Sequence, residues 1–255
     1  MRALCAVALL FTACPARTVP ERGVQLVYRK AASDSVRSVV DRRLAHLKLR
    51  ANLQEDEGTL TVFVPEGGDP SHIKSLFSRG GKLEFCAEDL ALAGRWCDET
   101  WPEGITTERA NTTCMLRADT RDALAKALPD AGSEVTFAEQ PPGAYSVANC
   151  ASPRIVSAEV HGSPPNITLE FDRAGGKEFA ELTRSAVGLR LIIRLDGVVQ
   201  SAPVVMEPLT GGKAMLSFSE LNHEALDVLA ASLAGGALPV MKLEREGTWG
   251  PPRFK

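Results

Sequence analysis

Aromatic residues make up only 5% of the 255-residue chain, and its four histidines, His46, His72, His161 and His223, are scattered singly. No C-x-x-C pair accompanies them, so the ligand spacing of a zinc site is missing and no metal is expected. Blocks of Lys or Arg are absent too: 29 Lys+Arg against 32 Asp+Glu leave a formal net charge of -3. Without the basic footprint by which phosphate backbones are held, a DNA or RNA partner is not expected. Long apolar runs are lacking in the body of the chain. The best candidate, residues 228–241, is broken by Gly235-Gly236 and Pro239 and falls short of the roughly 20 apolar residues of a spanning helix.

Motifs of catalysis are equally sparse. Lys82, Lys177 and Lys213 each follow a Gly-Gly pair, but the spacing of a phosphate loop and the Ser/Thr that must follow its Lys are absent. Ser71-His72-Ile73-Lys74 matches S-x-x-K, yet neither S-D-N nor K-T-G occurs downstream. Ser71 also stands at the start of an expected helix, where capping explains it. The expectation is a non-enzymatic protein with no catalytic residues and no cofactor.

What is present begins with export. Met1-Arg2, an apolar stretch over residues 3–11 and the small residues Thr12-Ala13 have the three-part form of a signal peptide at residues 1–13. Residues 10–14, Leu-Phe-Thr-Ala-Cys, resemble the bacterial lipobox, with Phe11 where that motif usually has Leu. The resemblance implies a lipid on Cys14; an ordinary cleaved signal with an incidental Cys14 is the other reading. Residues 14–22, with two prolines and no periodicity, read as a tether. Four cysteines then remain, Cys86, Cys97, Cys114 and Cys150, and in an exported chain they are expected to form two disulfides. Three connectivities are possible; loop-closure entropy slightly favours 86 with 97 and 114 with 150.

Residues 24–28, 59–64 and 82–86 read as strands, and residues after Ser33-Asp34 and after Pro70 as amphipathic helices. Residues 87–111 lack sustained periodicity and read as a long loop ordered by a disulfide. A short helix is expected at 120–128, strands at 135–138, 145–148, 155–160, 167–171 and 215–218, and helices at 176–187 and 220–234. Asp196-Gly197 between two apolar runs is a hairpin signal. Combining 24–86 with the last helix and strand gives β-α-β-β-α-β, an α+β fold. It would have a ferredoxin-like base at 23–86 and 219–246, a large inserted α+β head lobe at 87–218, and a tail at 247–255. Two lobes in simple succession, divided near Pro153, remain the alternative.

Residues 188–197 (Gly-Leu-Arg-Leu-Ile-Ile-Arg-Leu-Asp-Gly), 201–205 (Ser-Ala-Pro-Val-Val), 209–212 (Leu-Thr-Gly-Gly) and 235–239 (Gly-Gly-Ala-Leu-Pro) carry the sharpest signal. With Leu229-Ala230, residues 179–183 and residues 82–85, they closely resemble the first periplasmic domain of the translocase accessory protein SecD. The likeness runs from about Gly23 to Glu246 and is weak over 87–147. It implies a ferredoxin-like base with an inserted head, and a role in binding exported or unfolded polypeptide or translocase components. SecD proteins continue into a transmembrane bundle that couples proton flow to export. The expectation here is a detached module, lipid-anchored in the bacterial cell envelope and facing the periplasm, or on the outer face of the cytoplasmic membrane. An envelope scaffold that kept the fold without the export role is the alternative. On the head, Trp96, Trp101 and Tyr145 are the aromatics best suited to offer polypeptide-binding area with a polar edge, with packing beside the disulfides as the competing role.

Replacing Cys14→Ala should abolish incorporation of a fatty-acid probe in cells; labelling that persists in the variant would exclude lipidation at Cys14. Stable anchoring takes about two acyl chains, which a diacylglycerol thioether with an N-acyl group supplies.

Overall fold

The computed structural model describes residues 22–30, 36–218, 221–239 and 241–250. The signal segment, Cys14, the tether up to Glu21 and the Ser33-Asp34 cap lie outside them. In chain order the first elements are β1 (Gly23–Arg29), α1 (Arg37–His46), β2 (Asn52–Asp56), β3 (Thr59–Pro65), α2 (Pro70–Ser78) and β4 (Leu83–Ala87). Then come α3 (Leu90–Asp98), β5 (Ile105–Ala110), β6 (Thr113–Ala118), α4 (Arg121–Ala127), β7 (Val135–Glu139), β8 (Pro142–Ser146) and β9 (Cys150–Ala151). The chain continues with β10 (Ile155–His161), β11 (Asn166–Phe171), α5 (Arg173–Ser185), β12 (Leu191–Leu195), β13 (Val198–Ser201), β14 (Lys213–Ser217), α6 (His223–Gly235) and β15 (Lys242–Trp249). The mixed α+β class read from the sequence is the class observed.

Local chemistry explains most boundaries. Asp69, Asp89, Thr120, Asp172 and Asn222 each accept a backbone N–H with the side chain and so start α2, α3, α4, α5 and α6. Asp196 and Gly197 both have positive φ, 52° and 82°, as a two-residue turn joining β12 to β13 requires.

One antiparallel sheet has the order β15-β1-β3-β2, with Gly23 opposite both Trp249 and Pro65. Together with α1 and α2 this is a β-α-β-β-α-β arrangement. The last strand therefore lies in the sheet of the first. The assignment of elements differs from that expected. Residues 82–86 are not the third strand of this sheet: β4 pairs with β12 and β9 instead. The third strand is β3, its partner β2 was missed, and α2 is the second helix. β2 escaped notice because an edge strand needs few inward residues, and only Leu53 is buried in it. The expected tail also begins later, since β15 stays paired with β1 through Trp249.

The chain between α2 and β15 builds three further sheets, β13-β12-β4-β9, β10-β11-β14 and β5-β6-β8-β7. One face of the β12-β4 sheet packs on α5, α6 and the β10-β11-β14 sheet around Phe85, Phe171 and Phe179. Its other face, with Cys86 and Ile192, meets Met115 and Tyr145 of the β6-β8 sheet. The far side of that sheet is covered by α3 and α4. Residues 87–111 are thus not a loop: Asp89 caps α3, whose Ala93 and Trp96 turn inward at helical spacing, and β5 follows. α6 is apolar nearly all round because it serves two cores, with Val228 and Ala231 toward the base and Leu226, Leu229 and Leu233 toward the head.

Two chain crossings, at Gly80-Gly81 and after Gly235-Gly236, join the base to the head. Arg43 of α1 lies between them, 1% exposed. Its guanidinium donates to the carbonyls of Leu76 (2.7 Å), Arg79 (2.8 Å), Gly80 (2.5 Å) and Gly236 (2.7 Å). Burial pushes its pKa down to about 10, opposed by Asp196, so it is charged at neutral pH. The crossings must be glycine at these points. A Cβ on Gly235 would stand 2.4 Å from the Arg43 Cγ, and one on Gly81, where φ is +76°, would stand 2.7 Å from an Arg43 Nη.

Arg43→Ala should lower unfolding stability by about 3 kcal/mol or more, since it leaves buried carbonyls without donors. A urea midpoint unchanged from wild type would contradict the role given to this side chain.

Candidate interaction surface

The four cysteines do form two disulfides, with a pairing other than the one favoured by loop length: Cys86 with Cys150 and Cys97 with Cys114. The fold explains the change. β9 returns to the edge of β4 and sets Cys150 directly opposite Cys86, while α3 carries Cys97 across the outer face of the β5-β6-β8-β7 sheet to Cys114 of β6. Sequence distance governs closure entropy only until native contacts have brought the ends together.

Of the three aromatics expected to offer contact area, Trp96 and Tyr145 are packed inside and Trp101 is half-buried. Trp96, on the inward face of α3, is 1% exposed, and Trp101 donates its Nε1–H to the Trp96 carbonyl at 3.1 Å and meets that ring edge-on. Both sit beside the Cys97–Cys114 bridge in one cluster. Tyr145, 6% exposed, belongs to a different layer between two sheets. The structure brings the two tryptophans together, keeps Tyr145 apart, and leaves neither Trp96 nor Tyr145 available as surface. Their polar edges are spent on satisfying local partners, as for Trp101, or on burial, which pushes the Tyr145 phenol up.

Ser71 is not the cap of α2 but the residue whose N–H the capping Asp69 accepts. Its hydroxyl donates to Asp69 at 2.6 Å, while Lys74 pairs with Glu246 of β15 at 2.7 Å. These bonds from Ser71 hold the Asp69 carboxyl below its usual range. Among the described residues no three His, Cys, Asp or Glu side chains converge as a metal site would require. No helix among them is long and apolar enough to cross a membrane.

The segment over 188–212 is tied down at several points. Glu88, fully buried, pairs with Arg190 at 3.0 Å and accepts the Thr113 hydroxyl at 2.7 Å, and Arg190 reaches the Glu108 carbonyl at 2.9 Å. This fastens the β5-β6 hairpin to the start of β12. Asp196 accepts the Lys82 N–H at 2.8 Å, which fixes the β12-β13 turn against the first crossing. From β13 the chain runs back along α5: Gly188 donates to Val205 at 2.8 Å, and Leu209 donates its N–H to the Thr183 hydroxyl at 3.0 Å.

That rigid framing leaves apolar side chains outside. Of eight exposed large hydrophobic residues among those described, five lie within residues 187–215: Val187, Val198, Met206, Leu209 and Met215. Met206 is 83% exposed and follows directly on Val205, which is bridged to Val187. Exposed apolar surface marks a contact site where it is contiguous, and the Val187–Val205 bridge brings Val187 and Met206 near one another. Sequence reading passed over these positions, because a methionine between strand residues has the same signature whether it faces in or out.

Near the crossings a groove of about 440 Å³ carries the cations Arg42, Lys82 and Arg154 at its wall and no acidic residue in its lining. Lys82 is paired with Glu84 at 2.8 Å, so part of that charge is already balanced.

Comparison with known proteins sets this geometry in a family. Residues 150–240 match the family model described as SecDF, P1 head subdomain. The protein translocase subunit SecD of Syntrophobacter fumaroxidans is 45% identical over 241 residues, covering 92% of this chain and 42% of its own. The SecD of Acidaminococcus fermentans is 48% identical over 88 residues, 34% of this chain and 20% of its own. The chain spans less than half the length of these curated relatives. Among solved structures, SecDF in a super-membrane-facing form has a TM-score of 0.60 at 22% identity, covering 90% of this chain and 31% of that one. A second, of a membrane component SecDF that enhances protein export, has a TM-score of 0.56 at 21% identity, covering 87% and 98%. At such identities the structural likeness speaks to fold alone.

Peptide mapping without reductant should recover 86 joined to 150 and 97 joined to 114. Replacing Cys97 and Cys114 together by Ser should cost about 3 kcal/mol, the loop-entropy value for a span of this length. Recovery of 86 joined to 97 would refute the pairing. Taken with the sheet order and the segment over 188–239, the matches support a SecD first periplasmic domain, with the SecDF P1 head subdomain at residues 150–240.

Proposed function

We propose that the protein is a non-enzymatic accessory module of protein export. It acts in the periplasm, held to a membrane by a lipid on Cys14, and binds exported polypeptide, or components of the translocase, through its head. The carrying observation is the gathering of exposed Val187, Met206, Leu209 and Met215 on one stretch of the head, which sits on a scaffold fastened by Glu88–Arg190 and two disulfides. The family likeness supports the export context, because the relatives are translocase subunits. Methionine suits a surface that must accept many apolar side chains, being unbranched and polarizable.

Titration with a reduced, carboxymethylated, permanently unfolded client protein tests the reading. Wild type should bind, and Met206→Asp with Leu209→Asp should weaken binding by about tenfold or more, the loss expected from exposing two apolar contacts. Absence of binding by wild type would remove polypeptide binding, and crosslinking in cells that captured no translocase component would remove the other half of the proposal.

A further inference from the structure

We propose that the outer edge of β14 receives a segment of extended polypeptide as an added strand, a mode of binding that rests on the polypeptide-binding function proposed above.

The hydrogen-bond phase of β14 supports this. β14 pairs with β11 in an unbroken antiparallel register, Lys213 opposite Glu170 through Ser217 opposite Asn166. Phe171 donates its N–H to the Gly212 carbonyl at 2.9 Å, so residues 171 and 212 form a bonded pair. Bonded and non-bonded pairs alternate along an antiparallel ladder. Ala214 and Leu216 therefore bond to β11, while Lys213, Met215 and Ser217 direct their N–H and C=O groups away from it. Among the described residues no strand pairs with that side. The side chain of Met215, at the centre, is 66% exposed.

Four of the other seven sheet edges are blunted. β15 carries Lys242, Glu244, Arg245 and Glu246, and β2 ends in Glu55-Asp56. β10 is interrupted by a register shift at Val156, and β9 has two residues. Charge, bulges and shortness are the usual means of closing an edge. β14 has no bulge and no proline, and its single charge, Lys213, is paired with Glu170.

The occupant is an extended, uncharged polypeptide segment. Main-chain bonding fixes the strand while leaving side-chain identity open, which a receiver of many clients requires. A second copy of this chain fits less well. Pairing two five-residue edges covers far less than the roughly 1,200 Å² of a stable interface.

A soluble, labelled seven-residue peptide of alternating Thr and Val is the probe, titrated by fluorescence anisotropy against the full chain. It should bind, and the same peptide N-methylated at alternate positions should bind about tenfold more weakly or not at all, having lost its donors. Met215→Pro should weaken binding similarly with the urea midpoint kept, because the N–H it removes makes no bond within the sheet. Equal affinity for the parent and N-methylated peptides overturns the proposal, independently of how the proline variant folds. Peptide binding absent while the unfolded client still binds overturns the edge and leaves the polypeptide-binding function standing. A dimer in sedimentation that Met215→Pro abolishes also overturns it, by assigning the edge to a second copy.

Discussion

The guanidinium of Arg43 holds together the two chain crossings, which a backbone bond from the Leu238 N–H to the Gly80 carbonyl also joins. Its donors meet carbonyls at the end of α2 and at the cap of α6, which are the two points where the chain passes between base and head. A buried cation is costly unless its donors are filled, and here carbonyls rather than a carboxylate fill them. The geometry imposes conditions outward. Gly81 and Gly235 must lack side chains to let the crossings approach, and α6 must end where it does for Gly236 to present its carbonyl. The same approach brings Lys82 within reach of Asp196, so the β12-β13 turn and the Arg43 site are parts of one junction.

The head is held by a second buried charge of a different kind. Glu88 and Arg190 are sealed between sheets, and each has further bonds beyond the pair itself, so neither charge is left bare. Breaking one side of such a pair is far more damaging than replacing both. The pair therefore fastens the β5-β6 hairpin, which lies outside the matched residues 150–240, to the P1 head segment. The Cys97–Cys114 bridge then stiffens this added layer from its other side.

Much of the fold was legible because its signals are local. Pro70 and Thr120 announce helix starts, and Asp196-Gly197 announces a turn, each by chemistry within a few residues, while α5 begins at Arg173 behind its Asp172 cap, earlier than the expected 176. Partner choice between strands is not local. Leu83 to Ala87 looks the same whether it closes the base sheet or, as it does, pairs with β12. The cysteine pairing failed for the same reason, since β9 and α3 decide which sulfurs meet. Trp96 and Tyr145 were offered as contact surface, with packing as the competing role, because the sheets that cover them, the β6-β8 sheet over Trp96 and the β12-β4 sheet over Tyr145, could not be placed from the chain alone. The exposed methionines carried no sequence signal at all.

The pairing of β15 with β1 sets how a pull on the head would reach the base. Gly23 and Trp249 share one rim of the sheet, while the crossing that feeds β15 enters at the opposite rim, beside Arg29. A force lifting the head away from the Gly23 rim draws β15 along its own axis past β1. Ladder bonds lie across that direction, so the whole register from Gly23 to Arg29 bears the load at once rather than opening bond by bond. The base is thereby built to resist axial shear, and its weak direction is peeling from the rim where Gly23 and Trp249 lie side by side.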